Sequence, residues 1–289
     1  DPRAISLPNK IPVWLQSNMD GETYVPFRLN IRDTQATWMG GLPHSWENQV
    51  DARNNGKYDQ WLIAKKADEE YGNMPLTMGH YTREDLPFYY SLADAFTVFD
   101  QHFCAALTGT TTNRSFFWTG KSWDSVKTEP CVRNHEVTYD SERSWKTFPE
   151  RLEENGISWR VYQNEISLPT DVEDESLLAN FTDNNLEWFS QYNVRYSKSF
   201  QSFIKKRFAQ LPSEIKDLEA GMAKLPKDQV EEQQKILLEK QEQLEQIKEV
   251  LGSWDESNFE KLPEFQKNLH NKAFTTNIGD PDYHKTEML

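Results

Sequence analysis

Residues 101–120 read QHFCAALTGTTTNRSFFWTG, and the order of residue types along this stretch decides the fold. From Phe96 to Leu107 the pattern becomes strand-like, with the apolar run Phe103 to Leu107 leading into the threonine turn. Gly109 and three threonines follow as a turn, and Phe116, Phe117 and Trp118 continue as a helix. Strand, phosphate-sized turn and helix form the α/β arrangement in which ligands sit beyond strand C-termini. The helix N-terminus would bring unpaired N–H donors and a partial positive charge, a ready anion site. Arg114 adds a planar fork of donors suited to phosphate oxygens. Any of Thr110, Thr111 or Thr112 could be a nucleophile, but a threonine hydroxyl is inert until a base or a metal activates it. The plain alternative is a threonine-rich turn with a surface arginine, because short motifs recur by chance.

Around this stretch, the chain of 289 residues can bury a full core as one large domain or a domain with an insertion. Aromatic residues make up 13%, with ten tryptophans, which argues against disorder. A net charge of −14 with no basic stripe argues against a nucleic-acid partner. That charge also repels anionic lipid surfaces, while leaving zwitterionic headgroups open to tryptophan and tyrosine faces. No run of about 18 apolar residues occurs, so no membrane-spanning helix is expected. Residues 1–10, DPRAISLPNK, carry no leader pattern, as in a mature chain or an excised piece. Cys104 and Cys131 are compatible with one disulfide or with two buried thiols.

Upstream of the threonine turn, Pro2, Pro8, Pro12 and Pro26 break residues 1–35 into loops and edge strands. Leu42 to Asn55 gathers His44, Trp46 and Asn48, and KYDQWLIAKKADEEY at residues 57–71 predicts an amphipathic helix. Phe88, Leu92, Ala95 and Phe96 recur at helical spacing within residues 84–99, predicting a helix whose aromatics are mostly core. Pro87 suits its first turn, with Thr82 or Asp85 as caps. Downstream, the pattern predicts a short strand at Asn134 to Tyr139 and a helix from Ser144 to Asn155 stopped by Gly156. A buried strand follows from Ile157 to Tyr162.

Beyond residue 165 the character changes. Asp171 to Leu186 is acidic and loop-like, and Ser199 to Leu211 is helical. Ile215, Leu218, Met222 and Leu225 continue the stripe to Pro226. Val230, Leu237, Leu244 and Leu251 then recur every seven residues, with Gln233 and Lys240 interrupting the seam. An antiparallel helical hairpin over about 199–254, turning near Leu225 to Asp228, fits this pattern. Alone it suggests a partner-binding coiled coil; a packed insertion in the parent domain is the preferred reading. In the tail, His270, Asp280, Asp282 and His284 suggest metal ligands, but their spacing is not that of zinc sites and their neighbours favour a turn.

The stretch from Met78 to Gly120 closely resembles the bacterial phosphoesterase family of phospholipases C and acid phosphatases. It carries MGHYT, then PFYY, then the threonine turn with Asn113 and Arg114 three and four residues after Thr110. WKTFPERLEENGISWRVYQN at 145–164 and LPHSWENQVDARNNGKYDQWL at 42–62 match in the same order. His80 and Thr112 stand where the family has tyrosine and proline. The resemblance implies an alkaline-phosphatase-like three-layer α/β sandwich, here partial, with a helical-hairpin insertion. On that view residues 1–164 are a partial core carrying the nucleophile turn, 165–260 a mainly helical insertion and 261–289 a return segment to the core.

The implied function is phosphoester hydrolysis, of the phospholipase C type on a phosphatidylcholine-like phosphodiester. Thr110 would be nucleophile and ligand of a divalent metal, passing through a phospho-threonine. Asn113 and Arg114 would hold phosphate oxygens, and His44 would bind or protonate one. The family's glutamate-asparagine-arginine block and its aspartate-glutamate pair have no counterpart in this sequence. A partial, inactive segment lacking those metal ligands is therefore expected. Alternatives are an acid phosphatase acting on monoesters and a non-catalytic hairpin module. The family is mostly exported, which implies an extracellular or periplasmic setting.

Overall fold

A computed structural model of the chain describes residues 14–34, 41–67, 71–123, 130–172, 184–222 and 226–276. The chain divides into two units, residues 1–136 and 137–289.

In the first unit, β1 (Gln16–Ser17) and β2 (Thr23–Tyr24) form an antiparallel hairpin. Asn18 closes it, its side-chain oxygen accepting the Asp20 and Glu22 amides. Next, β3 (Phe27–Arg28) leads into the short helix α1 (Ile31–Thr34). The short extended pieces expected before residue 35 are present up to Arg28 within the described part, whereas residues 31–34 form a helical turn instead of a loop or edge strand. Helices α2 (Trp46–Arg53) and α3 (Trp61–Ala64) follow, and β4 (Gly79–His80) pairs in parallel with β3. The amphipathic helix expected over 57–71 is cut to one turn, α3. Lys65, just after it, is buried and bonds the Pro43 carbonyl and Asn48 instead of continuing a solvated face.

Pro87 starts α4 (Pro87–Ala95), as its position predicts. The capping expectation is corrected: Leu86 is the N-cap and no side chain caps the helix. Asp85 is instead held by a fork from Arg28 at 2.8 and 3.0 Å, and by the Thr82 amide and hydroxyl, so it is unavailable to the helix amides. The core expectation for this helix is also corrected. Phe88 is 69% exposed and Phe96 72%, because no element of the described residues covers that face. The strand expected at Phe103 to Leu107 is absent for the same reason. Without a partner ladder an extended run gains little, and Phe103 stands 80% exposed. Helix α5 (Thr110–Thr119) then begins directly after Gly109.

In the second unit, α6 (Phe148–Glu154) opens on a capping box in which Thr147 and Glu150 bond reciprocally. It ends at Gly156, whose φ of 66° suits the left-handed position there. The helix starts later than expected at Ser144 because the capping box fixes its first turn. Two strand expectations fail. Asn134 to Glu136 is a 3-10 turn, and Ile157 is 54% exposed, with only β5 (Tyr162–Gln163) extended.

Helices α7 (Lys198–Met222) and α8 (Lys227–Ser253) run antiparallel, with Arg207 facing Gln243 and Glu214 facing Lys240. Ile204, Leu211 and Ile247 between them join Ile166, Leu168, Val194 and Phe200 in one core cluster. The interrupting lysine of the heptad seam is thus paired across it, and Arg207 and Lys240 hold the Glu214 carboxyl down at about 2. Helices α9 (Glu256–Glu260) and α10 (Glu264–Ala273) return the chain to β6 (Thr275–Thr276), which pairs in parallel with β5. Among the described residues, strand pairing is limited to these three two-stranded pairs, two of them parallel. Helices mixed with small, mostly parallel pairs are consistent with an α/β fold.

Candidate active site

The threonine turn is shaped by Asn113. Its amide nitrogen donates to the Ala106, Thr108 and Gly109 carbonyls at 3.1–3.2 Å, and its oxygen accepts the Ala106 amide. One side chain from the first turn of α5 therefore ties the preceding loop back on the helix. A second amide, Asn134, supplies from 23 residues away the cap that Gly109 lacks. Its oxygen accepts the Thr111 N–H at 3.1 Å. The approach requires glycine: a Cβ on Gly109 would stand 2.7 Å from that oxygen.

These bonds separate the three threonines. Thr111 and Thr112 are buried, and the Thr112 hydroxyl donates to the Cys131 carbonyl at 2.9 Å. Thr110, at the first position of the helix, is half-buried. Its hydroxyl has no hydrogen-bond partner among the described residues. Arg114 lies one turn further on, half-buried.

A cleft of about 590 Å³ opens beside this helix end. Residues 41–48 form one wall and Val132 to His135 another, with Gly109 between. His44 is exposed in it and donates through Nδ1 to the Leu42 carbonyl at 2.9 Å, which leaves Nε2 as the ring acceptor. Its loop is pinned from below by Lys65, whose ammonium bonds Pro43 O and Asn48; burial pushes the Lys65 pKa down. The other wall is fixed by Arg133, which pairs with Glu47 at 2.6 Å and Glu136 at 3.1 Å and lies over the Trp46 ring. His44 and Gly109, the residue before α5, therefore line one cleft, whereas Thr110, Asn113 and Arg114 are not in its wall.

No three His, Cys, Asp or Glu side chains converge to hold a metal ion among the described residues. His270 of the tail is buried and bonds the Tyr192 carbonyl, and Asp280, Asp282 and His284 lie outside the described residues. Cys104 is exposed and Cys131 buried, and both are free thiols.

The matched residues extend far beyond this cleft. The sequence profile of the Phosphoesterase family aligns with residues 2–272, nearly the whole chain. The chain belongs to the phosphoesterase family. Phosphoesterase relatives include the non-hemolytic phospholipase C of Burkholderia pseudomallei, 34% identical over 200 residues, covering 66% of this chain and 27% of that protein. The non-hemolytic phospholipase C of Pseudomonas aeruginosa is 36% identical over 199 residues, 67% of this chain and 26% of the relative. Phospholipase C B of Mycobacterium tuberculosis is 37% identical over 169 residues, 57% of this chain and 29% of the relative. The chain thus spans between a quarter and a third of the length of these curated relatives. No helix among the described residues is long and apolar enough to cross a membrane.

Within this phosphoesterase chain, sequence reasoning missed Asn134, Lys65 and Arg133. Their roles depend on partners 17 to 86 residues away, and no local spacing signals them.

Proposed function

We propose that this chain is the nucleophile-bearing part of a phosphoesterase that hydrolyses phosphodiesters of the phospholipase C type, with Thr110 as nucleophile. The observation that carries the reading is the contrast among the threonines: of Thr110, Thr111 and Thr112, only Thr110 keeps a partially exposed hydroxyl without a partner among the described residues. In line with that position, Thr110 Oγ1 attacks phosphorus, the P–O bond to the leaving alcohol breaks, and a phospho-threonine forms. Water then attacks phosphorus and releases Thr110 and the phosphate product. The start of α5 and Arg114 stabilise the phosphoryl oxygens, and Asn113 keeps the turn in shape. His44 Nε2 takes the Thr110 hydroxyl proton as attack proceeds and gives it to the leaving oxygen, and the attacking water's proton restores the Thr110 hydroxyl in the second step.

A divalent metal is implied by the family. A hard cation takes about six oxygen ligands. Thr110 offers one, and no cluster of carboxylates joins it among the described residues. The described side chains do not fit the metal by themselves.

The rest of the α/β sandwich belongs, on this reading, to a longer protein that covers the exposed face of α4. Residues 165–260 are then an insertion, supported by the parallel pairing of β5 with β6 on either side of it. Relatives named as phospholipases C favour a diester lipid substrate over a monoester, and an exported setting agrees with such a substrate.

The test is hydrolysis of a chromogenic phosphocholine diester and the matching monoester by the longer protein and its Thr110→Ala variant. The variant is expected to lose about 10³-fold or more in kcat/KM. Activity of the variant within about tenfold of native removes Thr110 as nucleophile. A higher kcat/KM for the monoester assigns the protein to phosphatase chemistry instead.

A further inference from the structure

The second unit holds a cleft of about 890 Å³ that none of the Thr110 chemistry uses. Its floor is aromatic. Tyr196 lies 4.9 Å from Trp254 and 5.2 Å from Phe259, and Phe274 closes the row through the buried His270 ring. One wall is the start of α7, a helix of 25 residues. Ser197 immediately precedes that helix and is 6% exposed, yet its hydroxyl has no hydrogen-bond partner among the described residues. A serine in this position ordinarily caps a first-turn amide. Here it does not, so neither the hydroxyl nor the helix end is satisfied by that route.

Three cations border the same cleft. Lys198 and Lys205 stand seven residues apart on one face of α7, about 10 Å along the axis. Arg160 approaches from the segment before β5. None of the three has a hydrogen-bond or ion-pair partner among the described residues. In a chain of net charge −14, cations ordinarily find carboxylates. Of the acids on the rim, Glu260 is paired with Lys267 at 3.1 Å, and Glu256 lies in the first turn of α9.

We infer that this cleft is a second ligand site, taking a phosphate group at the start of α7 with an apolar, preferably aromatic, body laid on Tyr196, Trp254 and Phe259. The phosphate meets the helix amides, the Ser197 hydroxyl and the Lys198, Lys205 and Arg160 cations. The body stacks on the ring floor. An organic phosphate and inorganic phosphate share the anionic half, and the aromatic floor distinguishes them.

Titration calorimetry of the chain with phenyl phosphate and with inorganic phosphate tests the site. Phenyl phosphate is expected to bind at least about tenfold tighter than inorganic phosphate. The Lys198→Ala/Lys205→Ala variant, altered only at exposed side chains, is expected to lose about tenfold or more in affinity with an unchanged melting temperature. Arg114→Ala is expected to leave binding intact. The inference is overturned by no binding up to about 10 mM, by equal affinity for the two ligands, or by binding that survives the double lysine change. Loss of binding in Arg114→Ala alone would also overturn it, assigning the ligand to the threonine turn. Because the readout is binding rather than turnover, failure here leaves the Thr110 reading standing.

Discussion

Glu187 is a carboxyl enclosed almost completely in the second unit, where it accepts the Tyr139 hydroxyl at 2.7 Å and the Ser167 amide at 3.1 Å. Burial outweighs these bonds and pushes its pKa up to about 7 from the ordinary 4.5. Between those values the folded protein binds a proton that the unfolded chain has released. Unfolding free energy therefore falls as pH rises from about 4.5 to about 7, and the full penalty of the buried charge persists above that. The size of the effect is on the order of 3 kcal/mol. Burial raises the Glu165 pKa as well, so its contribution has the same sign. Urea unfolding across this range is expected to show native stability declining with pH, and Glu187→Gln flattening the decline. Parallel pH profiles for native protein and variant would remove Glu187 as the source.

Among the elements, α7 and α8 allow apolar and ionic contributions to be compared side by side. Leu211 is fully buried in the core cluster, and truncating it to alanine is expected to cost about 2–5 kcal/mol. The Glu214–Lys240 pair is one-third and one-quarter exposed, so solvent screens it. Lys240→Ala is expected to cost no more than about 1 kcal/mol. Denaturant melts of both variants check the order, and a Lys240 change costing more than Leu211 would mean that the ion pair anchors the hairpin. These two helices were legible in the sequence because their register is local: a seven-residue repeat, a breaking proline at 226 and a matching stripe. For α6 the stop at Gly156 was legible in the same way, whereas the expected start at Ser144 missed the capping box of Thr147 and Glu150. Strands were misread at Phe103–Leu107 and Ile157–Tyr162, since an apolar run acquires strand geometry only from a partner elsewhere in the chain. In the site, the residue types alone leave Thr110, Thr111 and Thr112 as equal candidates, and only the family resemblance singles out Thr110, whose role stays a proposal. The cap from Asn134 was not legible, because it spans the intervening segment.

At the scale of the molecule, the face left open by α4 and the following loop is the feature that most limits this chain on its own. Phe88, Tyr89, Leu92, Phe96, Val98, Phe99 and Phe103 are all exposed, a concentration of aromatic surface that isolated soluble domains seldom present. Helical spacing shows that such a face exists, but not what covers it; the expectation that it was core assumed a cover within the chain. The chain spans between a quarter and a third of its relatives' length, so a longer protein has residues enough to supply that cover. Two measurements separate this from an intrinsically open face. The chain alone is expected to bind a hydrophobic dye and to self-associate as concentration rises in sedimentation. Replacing Phe88, Phe96, Phe99 and Phe103 by serine should suppress both. In the longer protein the same four changes should lower the melting temperature, because there each ring would leave a cavity costing about 3 kcal/mol or more. If the longer protein melts unchanged and still binds the dye, the face is solvent-exposed in both forms, and the covering role of the additional residues is wrong.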